Sequence, residues 1–183
     1  MKLLLVIDYQ NDFVSGALGF AGAETLEPVI LDKIRAYKSR GDDVAFTFDT
    51  HDEEYLTTRE GRNLPVPHCL RDTWGWQLAG AVAGQFDDTT PRFIKHTFGS
   101  LALANWLKDK NYESIELVGL VSNICVLSNA VLAKAALPQA AILVDAAATA
   151  SHDPALHAKT LDVLEGLQIT VLNRAHKEPA DGR

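Results

Sequence analysis

Three residues of this 183-residue chain have side chains that could act together on a carbonyl group: Asp8, Lys95 and Cys125. Each follows a short β-forming run. Lys2-Leu3-Leu4-Leu5-Val6-Ile7 leads into Asp8, Arg92-Phe93-Ile94 into Lys95, and Ser114–Val118 into Gly119, just before Cys125. Ligands of open α/β sheets bind beyond the carboxyl ends of the strands, so the acid, the ammonium and the thiol are expected on one edge. A free thiol has a pKa of about 8.5 and is mostly protonated at neutral pH. A helix start and a nearby Lys favour the thiolate, and Asp8 can take its proton or later activate water. Gly119 to Ile124 is expected to turn the amides of Val121 and Cys125 toward one oxygen. Such an oxyanion hole gains about 3 kcal/mol from a single donor. Taken singly, an Asp after a strand is ordinarily a turn residue, and a Cys beside Val126 and Leu127 a small core residue. Their conjunction at strand ends favours the catalytic reading.

A second constellation is Asp49, His51 and His68. Residues two apart in an extended segment point the same way, so Asp49 and His51 can grip one ion, with His68 completing a facial set. A carboxylate with imidazoles suits Zn²⁺, with Fe²⁺ or Mn²⁺ as alternatives, the geometry choosing among them. Glu60 is a candidate fourth ligand. Cys69 should face away from His68 and is read as structural. Phe13 beside Asp8, and Trp74 or Trp76 behind the metal loop, are candidate pocket walls. His96, His152, His157 and His176 have no partner that the sequence identifies.

The elements that must hold these residues alternate in type. Apolar runs at Lys2–Ile7, Asp43–Phe48, Arg92–Lys95, Ser114–Val118, Ala140–Val144 and Gln168–Leu172 read as strands. Helical spacing is found over Glu24–Arg40, from Ser100 as N-cap through Leu107, over Asn123–Leu137, and over Pro154–Leu167 with Asp153 as N-cap. Strands alternating with helices imply βαβ units, a parallel sheet and helices on both faces. Asp49–Asp72 lacks periodicity, and a long loop within a domain is ordinarily functional. Residues 1–175 read as a single domain and 176–183 as a polar tail.

Other classes are excluded or disfavoured. The formal charge of −7 comes with no Lys/Arg block, which argues against nucleic acid or an anionic membrane as partner. Two cysteines do not make a disulfide framework and suit a reducing cytosol. There is no phosphate-binding G-x-x-x-x-G-K-[ST], no H-E-x-x-H and no G-x-S-x-G. Gly16, Gly19 and Gly22 have the wrong spacing for a dinucleotide fingerprint and read as a mobile turn. The amino-terminal apolar run is too short for a signal peptide or a membrane span. The expectation is a soluble, cytoplasmic protein.

The stretches VIDYQNDF (6–13), FTFDTHDEE (46–54), LPVPHC (64–69), FIKHTFGS (93–100) and GLVSNICVLSNA (119–130) resemble the isochorismatase-like cysteine hydrolases, and among them the nicotinamidases (pyrazinamidases). The resemblance implies a three-layer αβα fold with a six-stranded parallel sheet. It implies a triad of Asp8, Lys95 and Cys125 and a cis peptide at Leu120-Val121. It also implies a metal that holds a pyridine nitrogen and places a carboxamide by the thiol. The expected pocket lining is Phe13, Trp74 and Leu120, the expected substrate nicotinamide, and the expected assembly a homo-oligomer. One departure is Asp72, which stands where the family pattern G-T-x-G has its first glycine. Alternatives are a family amidase or carbamoyl hydrolase acting on an N-carbamoyl compound or maleamate, whose carboxylate would call for an Arg (Arg59, Arg62 and Arg71 lie in the loop), or a non-catalytic thiol or ligand-binding protein.

Overall fold

The computed structural model describes residues 1–174. The tail expected over 176–183, with His176, lies outside the described residues. Six strands form one all-parallel sheet: β1 Lys2–Ile7, β2 Asp43–Asp49, β3 Arg92–Lys95, β4 Ser114–Leu120, β5 Ala141–Ala150 and β6 Thr170–Leu172. Their spatial order is β3-β2-β1-β4-β5-β6.

β1 is central because both of its faces are apolar. Leu4 and Val6 pack into one core with Ile30, Ile34, Phe46 and Val118. Leu3, Leu5 and Ile7 pack into the other with Leu103, Leu107, Leu117 and Val144. This alternation follows from the two-residue period of a strand. Full burial of each such side chain is worth about 1.5–3 kcal/mol. Helix α2 (Leu26–Ser39) covers the first face. The second is covered by α4 (Leu101–Lys108), α5 (Leu127–Ala136) and α6 (Pro154–Gly166). Short helices α1 (Asn11–Val14) and α3 (Arg59–Asn63) lie in the connections at the sheet's carboxyl edge.

The caps read from sequence form. Ser100 Oγ accepts the Leu103 N–H, and Asp153 Oδ1 accepts those of Ala155 and Leu156. Several boundaries differ from the sequence expectation. The helix expected from Asn123 begins as a wide turn, Ser122–Val126, in which the Val126 N–H reaches the Val121 carbonyl at 3.2 Å. β5 continues to Ala150, after a shift of register opposite Leu117–Gly119. Between β1 and the turn at Gly16, Gly19 and Gly22 the chain forms the short helix α1, which the sequence reading did not include.

Strand order reverses between β1 and β4, so a crevice opens at their carboxyl ends. Gly119 sits there with φ 110, and a Cβ on it would run into the Ile7 carbonyl. Among the described residues no helix is long and apolar enough to cross a membrane.

Candidate active site

Asp8 is the first residue beyond β1. Its φ is 44, a left-handed conformation that Asp tolerates better than most residues. Its carboxylate is fully buried. Oδ1 accepts a hydrogen bond from the Thr47 hydroxyl at 2.6 Å, and Thr47 Oγ1 in turn accepts the Asp8 N–H at 3.2 Å. Oδ2 lies 2.7 Å from Lys95 Nζ. From the end of β3, Lys95 reaches Asp49 Oδ1 at 3.0 Å, the Thr97 carbonyl at 3.0 Å and Cys125 Sγ at 3.5 Å. Cys125 is buried in the wide turn before α5. Its carbonyl accepts from Asn129 Nδ2, while Asn129 Oδ1 accepts the Ser100 N–H. The peptide Leu120-Val121 is cis.

The electrostatics separate the two carboxylates around Lys95. Burial raises the pKa of Asp8, with Lys95 only partly opposing it. Burial also pushes Asp49 upward, but Lys95 and the imidazoles of His51 and His68 overcome it and hold that carboxyl far below its usual range. Burial alone would pull Lys95 down; Asp8, Cys125 and Asp49 reverse this and keep the ammonium well above its ordinary value. Cys125 corrects the sequence expectation of a favoured thiolate. Burial pushes its thiol well up, and the carboxylates of Asp8 and Asp49 offset the pull of Lys95. The ammonium is shared among Asp8, Asp49, the Thr97 carbonyl and Cys125, so the thiol rests protonated beside a carboxylate of raised basicity. Titratable groups whose environments push their pKa values apart in this way suit acid–base work.

Asp49, His51, Glu60 and His68 present ligand atoms that all lie within 4.8 Å of one another. Asp49 Oδ2 is 3.2 Å from His51 Nε2 and 3.4 Å from His68 Nε2. His68 Nδ1 is engaged by the Val66 carbonyl at 2.8 Å, which fixes the tautomer and leaves Nε2 as the free lone pair. Glu60 rides on α3, whose first turn is capped by Thr58 Oγ1 accepting the Gly61 N–H. Tyr55 stacks edge-on against both imidazoles, 4.6 Å from His51 and 5.0 Å from His68, and ties the loop by donating to the Leu64 carbonyl. Two imidazoles and two carboxylates converging in this way fit a divalent cation.

A cavity of about 470 Å³ joins the constellations, since Cys125, Asp49, His68 and Glu60 all face it. Its apolar boundary comes from Phe13, Leu18, Leu64, Phe98, Val121 and Ile124. His152 also lines it.

Two expected wall residues lie elsewhere. Leu120 is fully buried in the core, because β4 remains buried on both faces to its last residue. Trp74 is 58% exposed and does not line the cavity; its carbonyl accepts from Asn11 Nδ2. Trp76 turns inward instead, packing on Phe48 and donating to Thr50 Oγ1. Cys69 is fully buried, and its N–H donates to Asp12 Oδ2 at 2.7 Å. Asp72 keeps the glycine-like conformation of the position it occupies, with φ 63. Residues that the sequence did not single out include Thr47 and Tyr55. Gln10 is another: it accepts the Asp49 N–H and donates to the carbonyls of Asp49 and Trp76. Gln10 stands inside the VIDYQNDF stretch, the one signal that could have found it.

Fold and site define an α/β protein with a buried thiol, an ammonium and a carboxylate at the switch point of a parallel sheet, the thiol facing the same cavity as Asp49, Glu60 and His68. The chain belongs to the isochorismatase family, whose domain matches residues 2–176. It is similar to a crystal structure of a nicotinamidase from Bacillus subtilis, with a TM-score of 0.83 and 28% identity over 94% of this chain and 99% of that one. A Pyrococcus horikoshii pyrazinamidase solved with zinc shares the fold, with a TM-score of 0.82 and 22% identity over 94% and 99% of the two chains. A nicotinamidase from Saccharomyces cerevisiae is 23% identical, covering 95% of this chain and 100% of its own.

Proposed function

We propose that the protein is a cysteine amidohydrolase of the nicotinamidase type, converting nicotinamide to nicotinate and ammonia. The observation that carries this reading is the single cavity faced by both Cys125 and the Asp49/His51/Glu60/His68 group's inner members. The relatives named nicotinamidase support the substrate.

In this reading Asp8 takes the thiol proton as Cys125 Sγ attacks the carboxamide carbon. The developing oxyanion is held by the amides of Val121 and Cys125. Collapse breaks the C–N bond, and Asp8 returns the proton to the departing ammonia. Water activated by Asp8 then hydrolyses the thioester. Lys95 keeps its charge throughout and balances Asp8 and Asp49 in turn. Asp49, His51, His68 and Glu60 would hold the divalent ion, zinc by preference, which supplies a Lewis-acid anchor for a substrate lone pair.

Among the described residues, those lining the cavity include no Arg or Lys. Arg59 faces a neighbouring groove, and Arg71 is engaged by Asp52 at 3.4 Å. This favours a neutral planar amide over N-carbamoyl or maleamate substrates, whose carboxylate needs a cationic partner. The test is ammonia release from nicotinamide by the wild type and by Cys125→Ala, beside a panel of carboxylate-bearing amides. Equal rates in wild type and variant would overturn the nucleophile. Preference for a carboxylate-bearing amide would overturn the substrate.

A further inference from the structure

Ser122 follows Val121 in the turn that carries the two amides, and it is fully buried. Its hydroxyl lies 2.9 Å from Nδ1 of His157, one turn into α6. That helix has anchors of its own: Asp153 caps its first turn, and Leu161 and Leu164 sink into the core beneath the sheet. Other ties on the turn hold carbonyl oxygens. The N–H groups of Ile124 and Val126 both reach the Val121 carbonyl at 3.2 Å, and Asn129 holds that of Cys125 at 2.8 Å. The Ser122 side chain adds a hydrogen bond from the turn to α6. Burial and Arg174 keep the pKa of His157 below its usual value. This favours the neutral imidazole, and in the tautomer protonated at Nε2 its Nδ1 accepts a hydrogen bond from the serine hydroxyl.

We propose that Ser122 and His157 are a positioning pair, in which the hydrogen bond from the Ser122 hydroxyl to His157 Nδ1 fixes the Val121–Cys125 turn so that both amides aim at the oxyanion. The proposal rests on the amidohydrolase reading above. A displacement of about 1 Å in such a group can cost on the order of a hundredfold in rate, so one hydrogen bond at the rear of the turn is enough to matter. Neither residue touches substrate. Their effect is confined to the state in which negative charge has moved onto the carbonyl oxygen.

The test separates that state from binding and from thiol reactivity. Pyridine-3-carbaldehyde adds the Cys125 thiol reversibly: the C–S bond forms, the carbonyl π pair moves to oxygen, the thiol proton passes to Asp8, and nothing departs. Ser122→Ala and His157→Leu are expected to weaken aldehyde binding and lower kcat on nicotinamide by about tenfold or more. The nicotinamide KM and the rate of Cys125 alkylation by iodoacetamide should stay within about twofold of wild type. His157→Asn, whose side-chain oxygen can occupy the place of Nδ1, should recover most of the loss. The double variant should be no worse than either single one. Variants that keep the wild-type melting temperature, aldehyde affinity and kcat would overturn the pair. A wild type that neither hydrolyses nicotinamide nor binds the aldehyde would overturn the amidohydrolase reading, and the proposal with it.

Discussion

Lys95 Nζ stands 3.0 Å from Asp49 Oδ1, while the other oxygen of that carboxylate faces the imidazoles of His51 and His68. One carboxylate thus belongs to both constellations. The charge of Lys95 counts toward the metal-binding group as well as toward Asp8 and Cys125.

Removing that ammonium should be costly and partly reversible by metal. Lys95→Met leaves two buried carboxylates without their cation, an arrangement that costs about 3–5 kcal/mol. A divalent ion restores positive charge beside Asp49, so added zinc should raise the melting temperature of Lys95→Met by more than it raises that of the wild type. His51→Ala, which removes a ligand, should show little metal-dependent rise. Thermal melts with and without zinc measure all three. Equal increments in Lys95→Met and wild type would show that the two groups are electrostatically independent.

Asp8→Asn should separate nucleophile formation from turnover. Asp8 raises the Cys125 pKa, whereas Lys95 lowers it. Without the carboxylate the thiolate fraction rises, and alkylation of Cys125 at a fixed pH near 8 should speed up. Hydrolysis should nevertheless fall by about 10²-fold or more, because no group remains to carry the proton to ammonia. Cys69, fully buried and with its thiol pushed well up, should stay unlabelled in the native protein. Mass mapping after iodoacetamide treatment, beside an ammonia assay, measures both effects. Slower alkylation together with lost turnover would contradict the assigned role.

On the α2 face, Lys33 is bound by Asp145 and by Glu116, which also accepts from the Tyr37 hydroxyl at 2.7 Å. Burial lowers the Lys33 pKa, but the hydrogen bonds from Asp145 and Glu116 outweigh it and leave it raised above 10.5. The folded state therefore holds this proton more tightly than the unfolded chain. Its stabilisation is complete below pH 10.5 and is lost as pH rises through the folded value. Lys33→Met should be less stable than wild type by a gap that is constant near neutrality and narrows above that pH. Urea unfolding at a series of pH values measures the gap. A gap unchanged far into alkali would rule the explanation out.

At Asp72 the backbone, rather than packing, sets the tolerance, because the side chain is exposed and φ is 63. Asp72→Gly should be close to neutral in stability. Asp72→Val, a β-branched residue in the left-handed region, should cost about 1–2 kcal/mol. Denaturant midpoints of the two variants decide the matter, and equal midpoints would refute it.

The strands were legible because each is a short apolar run, and with them the convergence of Asp8, Lys95 and Cys125, which follows from strand ends in a parallel sheet. Asp49, His51 and His68 were legible through spacing. What escaped depends on contacts between distant parts of the chain. Nothing local tells Trp74 from Trp76. The choice is made by Thr50, which accepts from the Trp76 indole at 2.7 Å. The resemblance makes Leu120 a pocket residue, yet the core claims it. The resting state of Cys125 depends on how many acids share Lys95, a three-dimensional count. His157 reads as a histidine without a partner until α6 brings it to Ser122.

Asp12 lies two residues past Gln10, in α1. Its Oδ1 accepts the Ala17 N–H at 3.1 Å and its Oδ2 the Cys69 N–H at 2.7 Å, and a Cβ on Gly75 would collide with the same carboxylate. Its neighbour Phe13 meets His68 edge-on at 5.6 Å. A single side chain therefore knots together the aromatic wall, the segment beyond α1 and a metal-binding loop from much later in the chain. Mechanically these parts share one fastening. A shift of α1 at Phe13 therefore strains the hydrogen bond that holds the backbone beside His68, which couples the cavity wall to the loop carrying that imidazole.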